Sequence, residues 1–400
     1  MRTLKPLTLA TLAALSVGAW ADDSPISFSG FGTVGVVQTN NDNAQYRISA
    51  RPPSGADKSA SFDVDSKLGL QVSGKINPQF SLTAQVIVEQ DDENRYRPEP
   101  EWVFAKYDVT DAVSIRAGRV GLPAFLISDF RKVGYANVWV RPPTEVYGQV
   151  PLSTLDGADV IWRLPMGDNT LTFQPYAGRS KFDLAGGTEG KGKNLYGLNV
   201  SYEVGSLLLR AGYLRTKLSL QNNDTRALFA AMRSVPLPGW AAAAGELEGI
   251  DKRASFSGVG ATWDDGKLLL QGEYTQRRTK SFVEDTDGWY TTAGYHFGDF
   301  TPYVSYAKVK TKHRAVVEGL LAPTPQLAGL RAAALSGQAG ADQKAATLGV
   351  RWNVYKNIDL KAQYDRVKTE VGKDNFFAHQ TANFPGQTVN VYSLAADFIF

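Results

Sequence analysis

Three features of the 400-residue sequence predict an all-β fold, a transmembrane antiparallel β-barrel of about sixteen strands. Apolar and polar residues alternate with period two in one segment after another. The connections between these segments alternate between short and long. The final segment ends on an aromatic residue, Phe400.

The chain opens with MRTLKPLTLATLAALSVGAWA, where Arg2 and Lys5 precede a short apolar stretch and Ala19-Trp20-Ala21 precedes Asp22. A basic start, an apolar middle and small residues around a cleavage point form a secretory signal peptide. Residues 1–21 are therefore expected to be removed and residues 22–400 to form the barrel. Beyond that leader no stretch approaches the roughly 18 apolar residues that a spanning helix needs.

Residues 61–76 place Phe62, Val64, Leu68, Leu70, Val72 and Ile76 on one parity, with Asp63, Asp65, Lys67, Gln71, Ser73 and Lys75 on the other. Side chains of a strand alternate between faces, so this is a strand with one apolar face. After Asn77-Pro78 the pattern resumes with Phe80, Leu82, Ala84, Val86 and Val88, which completes a hairpin. Comparable segments start near residues 26, 62, 79, 101, 112, 157, 169, 193, 206, 254, 267, 288, 300, 343, 357 and 388. In the last of them Asn390, Tyr392, Leu394, Ala396, Phe398 and Phe400 are expected to face lipid.

Seven connections are tight: Asn77-Pro78, Thr110-Asp111, Met166-Gly167-Asp168, Gly205-Ser206, Asp264-Asp265-Gly266, Gly298-Asp299 and Lys356-Asn357. Eight are long, near 39–60, 91–100, 121–156, 180–192, 219–253, 279–287, 312–342 and 369–387. An antiparallel meander with short turns at one end and long loops at the other is the pattern of outer-membrane barrels, with short periplasmic turns and long extracellular loops. Closure follows from solvation. Backbone amides in hydrocarbon have no water to bond, so a spanning sheet tolerates no free edge.

Composition excludes several classes. Lys and Arg total 43 against 40 Asp and Glu, and both signs are scattered, which gives no basic surface for a nucleic acid. The absence of cysteine excludes a disulfide framework. The histidines, His296, His313 and His379, occur in no cluster with ligand spacing, so no metal or other cofactor is expected.

With these residues in place, the sequence resembles the general diffusion porin superfamily of Gram-negative bacteria across residues 22–400. Ser66-Lys67-Leu68-Gly69-Leu70 is similar to the porins' second strand, where a basic residue lines the pore. Residues 102–119, WVFAKYDVTDAVSIRAGR, resemble the next hairpin, which leads into the third loop. The resemblance implies that residues 121–156 fold into the barrel as a constriction loop, with loop carboxylates facing basic wall residues. It also implies a homotrimer and recognition of Phe400 by the outer-membrane assembly machinery.

The pore constriction is accordingly expected from Lys67, Arg116, Arg119, Asp129, Arg131 and Glu145, with no catalytic residue. Arg116 and Arg119 differ in strand parity, so one of them needs a bulge or lies outside the constriction. The third loop departs from the acidic pattern of the family, because Arg131, Lys132 and Arg141 and aromatic-proline clusters accompany few acids. Cation preference is not implied.

The expected function is a water-filled channel in the outer membrane for passive diffusion of small hydrophilic solutes and ions, surrounded by lipid and lipopolysaccharide. The alternative is a substrate-selective channel for a small anion, sugar or aromatic acid, suggested by the cations, Trp139 and Tyr147 of the third loop. An enzyme or an adhesin is less favoured. The His-x-Ser arrangement of the barrel phospholipases is absent, and a barrel of about 22 strands with a plug, as in the large outer-membrane transporters, needs more chain.

Overall fold

The computed structural model describes residues 25–338, 340–370, 376–384 and 386–400, so the leader expected at residues 1–21 lies outside the described residues. Sixteen strands form one closed barrel in which every neighbour is antiparallel. They are β1 (Ile26–Thr39), β2 (Lys67–Lys75), β3 (Phe80–Gln90), β4 (Tyr96–Asp108), β5 (Val113–Gly121), β6 (Thr154–Met166), β7 (Asn169–Leu184) and β8 (Thr188–Val204). The second half comprises β9 (Leu207–Gln221), β10 (Lys252–Asp264), β11 (Leu268–Thr279), β12 (Asp285–Tyr295), β13 (Phe300–Lys312), β14 (Gln343–Tyr355), β15 (Ile358–Thr369) and β16 (Thr388–Ile399).

β1 closes the ring, because Phe31 lies opposite both Gly69 of β2 and Ile399 of β16. The Gly30 and Phe400 backbones exchange two hydrogen bonds at 2.9 and 3.0 Å beside this seam. The ring of Phe400 occupies the space above Gly30, and that of Phe398 the space above Gly32, so a Cβ at either glycine would overlap a ring. Aromatic rings laid over glycines of the adjacent strand pin the register of the closing pair.

All seven tight turns fall where expected. Gly205 (φ 54°) and Gly266 (φ 79°) take left-handed backbone that a side chain would strain. Asp265 adds an Asx turn, its Oδ1 accepting from Lys267 N at 2.9 Å and Leu268 N at 2.8 Å.

The faces follow the alternation. Leu68, Leu70, Val72, Tyr392 and Leu394 are exposed on the outside, whereas Val389, Val391 and Asp397 are buried inside. No helix among the described residues is long and apolar enough to cross a membrane, and the strands carry the apolar outer surface instead.

The loops depart more from expectation. Residues 180–192 are not a loop: β7 and β8 run on to a turn at Ala185-Gly186-Gly187, giving strands of 16 and 17 residues. That exceeds the roughly 9–11 residues a span needs, so the hairpin projects past the barrel rim. The third loop carries a short helix, α1 (Thr144–Tyr147), and the fifth and seventh loops fold into longer ones: α2 (Asn223–Ser234), α3 (Trp240–Leu247) and, in the seventh, α4 (Pro325–Ser336). Asn222 begins α2 with a full capping box, and the three longer helices share a core of Met232, Trp240, Leu247, Val317 and Ala334.

Candidate pore and its third loop

Residues 122–153, between β5 and β6, lie inside the barrel and include a short helical turn at Thr144–Tyr147. The segment is apolar where it meets the far wall. Phe125 packs on Phe256 of β10 with ring centroids 4.9 Å apart, and Trp139 packs edge-on against Tyr290 of β12 at 5.6 Å. The buried polar groups at this contact are paired, as desolvation requires. Tyr147 Oη donates to Glu273 Oε2 at 2.7 Å, Leu126 N donates to Glu273 Oε1 at 2.9 Å, and Trp139 Nε1 donates to Thr292 at 3.1 Å. At Gly288 of β12 the wall leaves room for the loop: a Cβ there would lie 2.7 Å from the Glu145 carbonyl oxygen and overlap the Gln149 amide.

Charged clamps fix the ends and tip of the loop. Arg141 is 4% exposed and donates to both carboxylate oxygens of Asp65, at 2.9 and 2.6 Å. It also donates to Asp365 of β15 at 3.1 Å and Ser393 of β16 at 2.6 Å. Lys132 bridges wall carboxylates Glu89 at 2.8 Å and Glu101 at 3.0 Å. Lys361 of β15 reaches the loop from below, donating to Gly134 O and Asp397, each at 2.7 Å. The polarity is thus mostly the reverse of that expected. Loop cations meet wall acids.

Of the expected constriction residues, Arg116 faces the lumen. Its Nε donates to Asp159 Oδ1 at 2.9 Å, its Nη2 also bonds Asp159, and its guanidinium lies 5.3 Å from the Phe104 ring. Arg119 does not. Directly opposite the exposed Val103 of β4, it shares that residue's outer face and pairs there with Asp156, Nε to Oδ1 2.6 Å. The conflict of parity is resolved without any bulge, since the two arginines are three positions apart and point to opposite faces.

Asp129 meets a wall cation, Arg210 of β9, at 3.0 Å. Arg210 was not anticipated, although its place between outward Leu209 and Ala211 in β9 marks it as inward. Lys67 shares the inner parity, opposite Thr33 and Glu89, and lines a small cavity with Arg51 and the first loop. Neither Asp129 nor Glu145 is its partner; its acidic neighbour is Glu89. Glu145 is 2% exposed and accepts from Gln343 Nε2 at 2.8 Å, and burial pushes its carboxyl up to about 7. It is a seating residue. Arg131 rests 5.5 Å from the ring of Phe125, and among the described residues no carboxylate lies within ion-pair distance of it.

A row of paired polar side chains runs along the wall from β5 to β9, largely buried, and meets the loop at its β9 end, where Arg210 Nη1 donates to Leu126 O at 3.1 Å. Asp159 of β6 pairs with Arg116 and accepts from Gln174 of β7 at 2.8 Å, while Asn199 of β8 accepts from Arg210 Nε at 2.9 Å. Gln174 and Asn199 stand directly opposite each other, so the row is unbroken from β5 to β9.

No family profile and no curated sequence matches the chain. Solved structures do. OmpF of Salmonella typhi, in complex with daunomycin, superposes with a TM-score of 0.55 at 16% identity, over 94% of this chain and 97% of that one. An anion-selective porin from Comamonas acidovorans gives 0.55 at 13%, over 94% and 99%. The trimer form of OmpT of Vibrio cholerae gives 0.53 at 13%, over 94% and 99%. The chain has the fold of these proteins, the closed sixteen-stranded barrel of outer-membrane porins. At such identities the likeness extends to the fold alone.

Proposed function

We propose that this chain is an outer-membrane channel through which small hydrophilic solutes and ions diffuse passively, and that it has no catalytic role. One observation carries the reading: residues 122–153 lie across the lumen of a closed barrel and narrow it, and the inner wall from β5 to β9 carries a row of charged and polar side chains from Arg116 to Arg210. Charged and hydrogen-bonding side chains facing a narrow aqueous path favour polar solutes over apolar ones of equal size.

Arg131, lying against Phe125 with no paired carboxylate among the described residues, supports a second reading, a channel selective for an anionic solute. Liposome swelling across a series of sugars, amino acids and organic acids separates the two. Flux that falls only with solute size supports general diffusion. Saturating flux that a second solute blocks supports selectivity, and no flux above empty liposomes overturns both.

The outer face bears on the surroundings. Lys308, Lys344 and Lys368 stand directly opposite one another across β13, β14 and β15, next to exposed Trp289 and Tyr306. Like charges in such register repel unless an anion lies over them. Phosphate groups of lipopolysaccharide above an aromatic girdle fit that position. Opposite Lys368 stands the uncharged Thr388 of β16, and assembly as a homotrimer belongs to the same reading. Export by cleavage after Ala21 and assembly through Phe400 complete the reading.

A further inference from the structure

Above the third loop, on the side away from the tight turns, the barrel holds a cavity of about 430 Å³, within the usual range for small-molecule sites. Its walls are mostly apolar, with Phe182, Leu214, Leu218, Phe256, Phe282 and Phe376 contributing the rings and branched side chains. Two arginines line it, Arg47 and Arg277, and no aspartate or glutamate does among the described residues. Arg277 donates through Nη1 to Gln149 O at 2.7 Å and through Nη2 to Glu284 O at 3.0 Å, and its Nε is buried without an acceptor. Both acceptors are neutral carbonyls. Two acids lie nearby without bonding to it: the Glu284 carboxylate binds His313, and Asp285 accepts from the Thr279 amide at 2.7 Å. Among the described residues the guanidinium therefore forms no ion pair, and it sits at the edge of an apolar hollow with Glu284 and Asp285 acting on it only from outside the cavity lining. Isolated charges in such surroundings are costly without a counter-ion.

We propose that this vestibule binds an organic monoanion with an apolar body, a carboxylate on an aromatic or branched hydrocarbon frame, with the anionic group at Arg277 and the body against Phe182, Leu214 and Phe256. The inference rests on the channel reading and deepens it, since the cavity adjoins the third loop through residues 148–152. Simple inorganic anions leave the apolar walls unmatched, and neutral aromatic compounds leave Arg277 unmatched. Only the combined ligand satisfies both.

The test is calorimetric titration of the full protein in detergent with 2-naphthoate, alongside 2-naphthamide (same body, no charge) and acetate (same charge, no body). Saturable binding of 2-naphthoate at least ten-fold tighter than of either control is expected. Arg277→Met is expected to weaken it ten-fold or more. Because Arg277 also holds the third and sixth loops, Leu218→Glu provides an independent variant: it places a carboxylate in the cavity, leaves Arg277 intact, and is expected to abolish 2-naphthoate binding. Equal binding of 2-naphthamide, or unchanged 2-naphthoate binding in both variants, overturns the proposal. Single-channel recording on the same preparations keeps the two readings apart. Conductance without naphthoate binding removes the vestibule site alone, and naphthoate binding without conductance removes the channel alone.

Discussion

Arg141 shows how a single side chain holds the loop in the barrel. Its guanidinium serves Asp65, Asp365 and Ser393 at once, so removing it leaves two carboxylates buried without their cation. Breaking a buried ion pair from one side costs about 3–5 kcal/mol. Arg141→Ala is expected to free the loop tip, and planar-bilayer recordings are expected to show larger and noisier current steps. Steps identical to wild type would remove the clamp from the account. Glu145 gives a pH dependence of definite sign. Its carboxyl titrates near 7 in the folded protein against 4.5 for an ordinary glutamate, so the folded form binds the proton more tightly. Its contribution to stability is fullest below about 4.5 and declines as the pH rises to about 7. In Glu145→Gln the current noise is expected to lose this dependence, becoming quieter than wild type at pH 8 and similar to it at pH 4. The sequence offered Asp129 and Glu145 equally as constriction acids. What separates them is burial, which depends on where the loop folds back and is invisible in residue order.

Among the elements, the strands were the most legible. Period two follows directly from the pleat, and the tight turns announce themselves through Gly205, Gly266 and Asp265, so the sixteen strands, including the weakly patterned β5, stand near where the alternation put them, although β4 begins at Tyr96, inside the segment expected as the second loop. Loops obey no such period. The extension of β7 and β8 is a local hairpin in which residues 180–184 pair with residues 188–192 around Gly186-Gly187, whereas the helices α2–α4 depend on contacts between segments far apart in sequence, such as Trp240 with Leu321 O at 3.0 Å. Arg119 failed as a pore residue for a different reason: a motif supplied it and strand parity opposed it, and parity was the physical constraint. Arg116→Glu is therefore expected to shift the reversal potential toward cations and Arg119→Glu to leave it unchanged. The Arg116 shift should shrink in concentrated salt, where the Debye length falls from about 10 Å at 0.1 M to about 3 Å at 1 M. Equal shifts in both variants would contradict the assignment of faces. Gly288→Val probes the loop seat from the wall side. Overpacking costs about 1–3 kcal/mol and would push the Glu145–Gln149 segment inward or away, altering conductance while the barrel still assembles.

For the whole molecule, the closed ring of sixteen antiparallel strands with an apolar exterior accounts for stability without any disulfide or continuous soluble core. The seam where Phe398 and Phe400 cover Gly32 and Gly30 joins the last strand to the first, so deleting Phe400 is expected to reduce the amount of heat-modifiable barrel in the outer membrane while export continues. Normal barrel levels in the truncated chain would contradict that role. The central claim is that the lumen conducts and that residues 122–153 narrow it. It is tested most directly by single-channel conductance in planar bilayers of the wild type and of a variant whose third loop is replaced by a short Gly-Ser turn. Discrete steps in the wild type and clearly larger steps in the variant are predicted; an absence of steps in both, or equal conductance in the two, would contradict it.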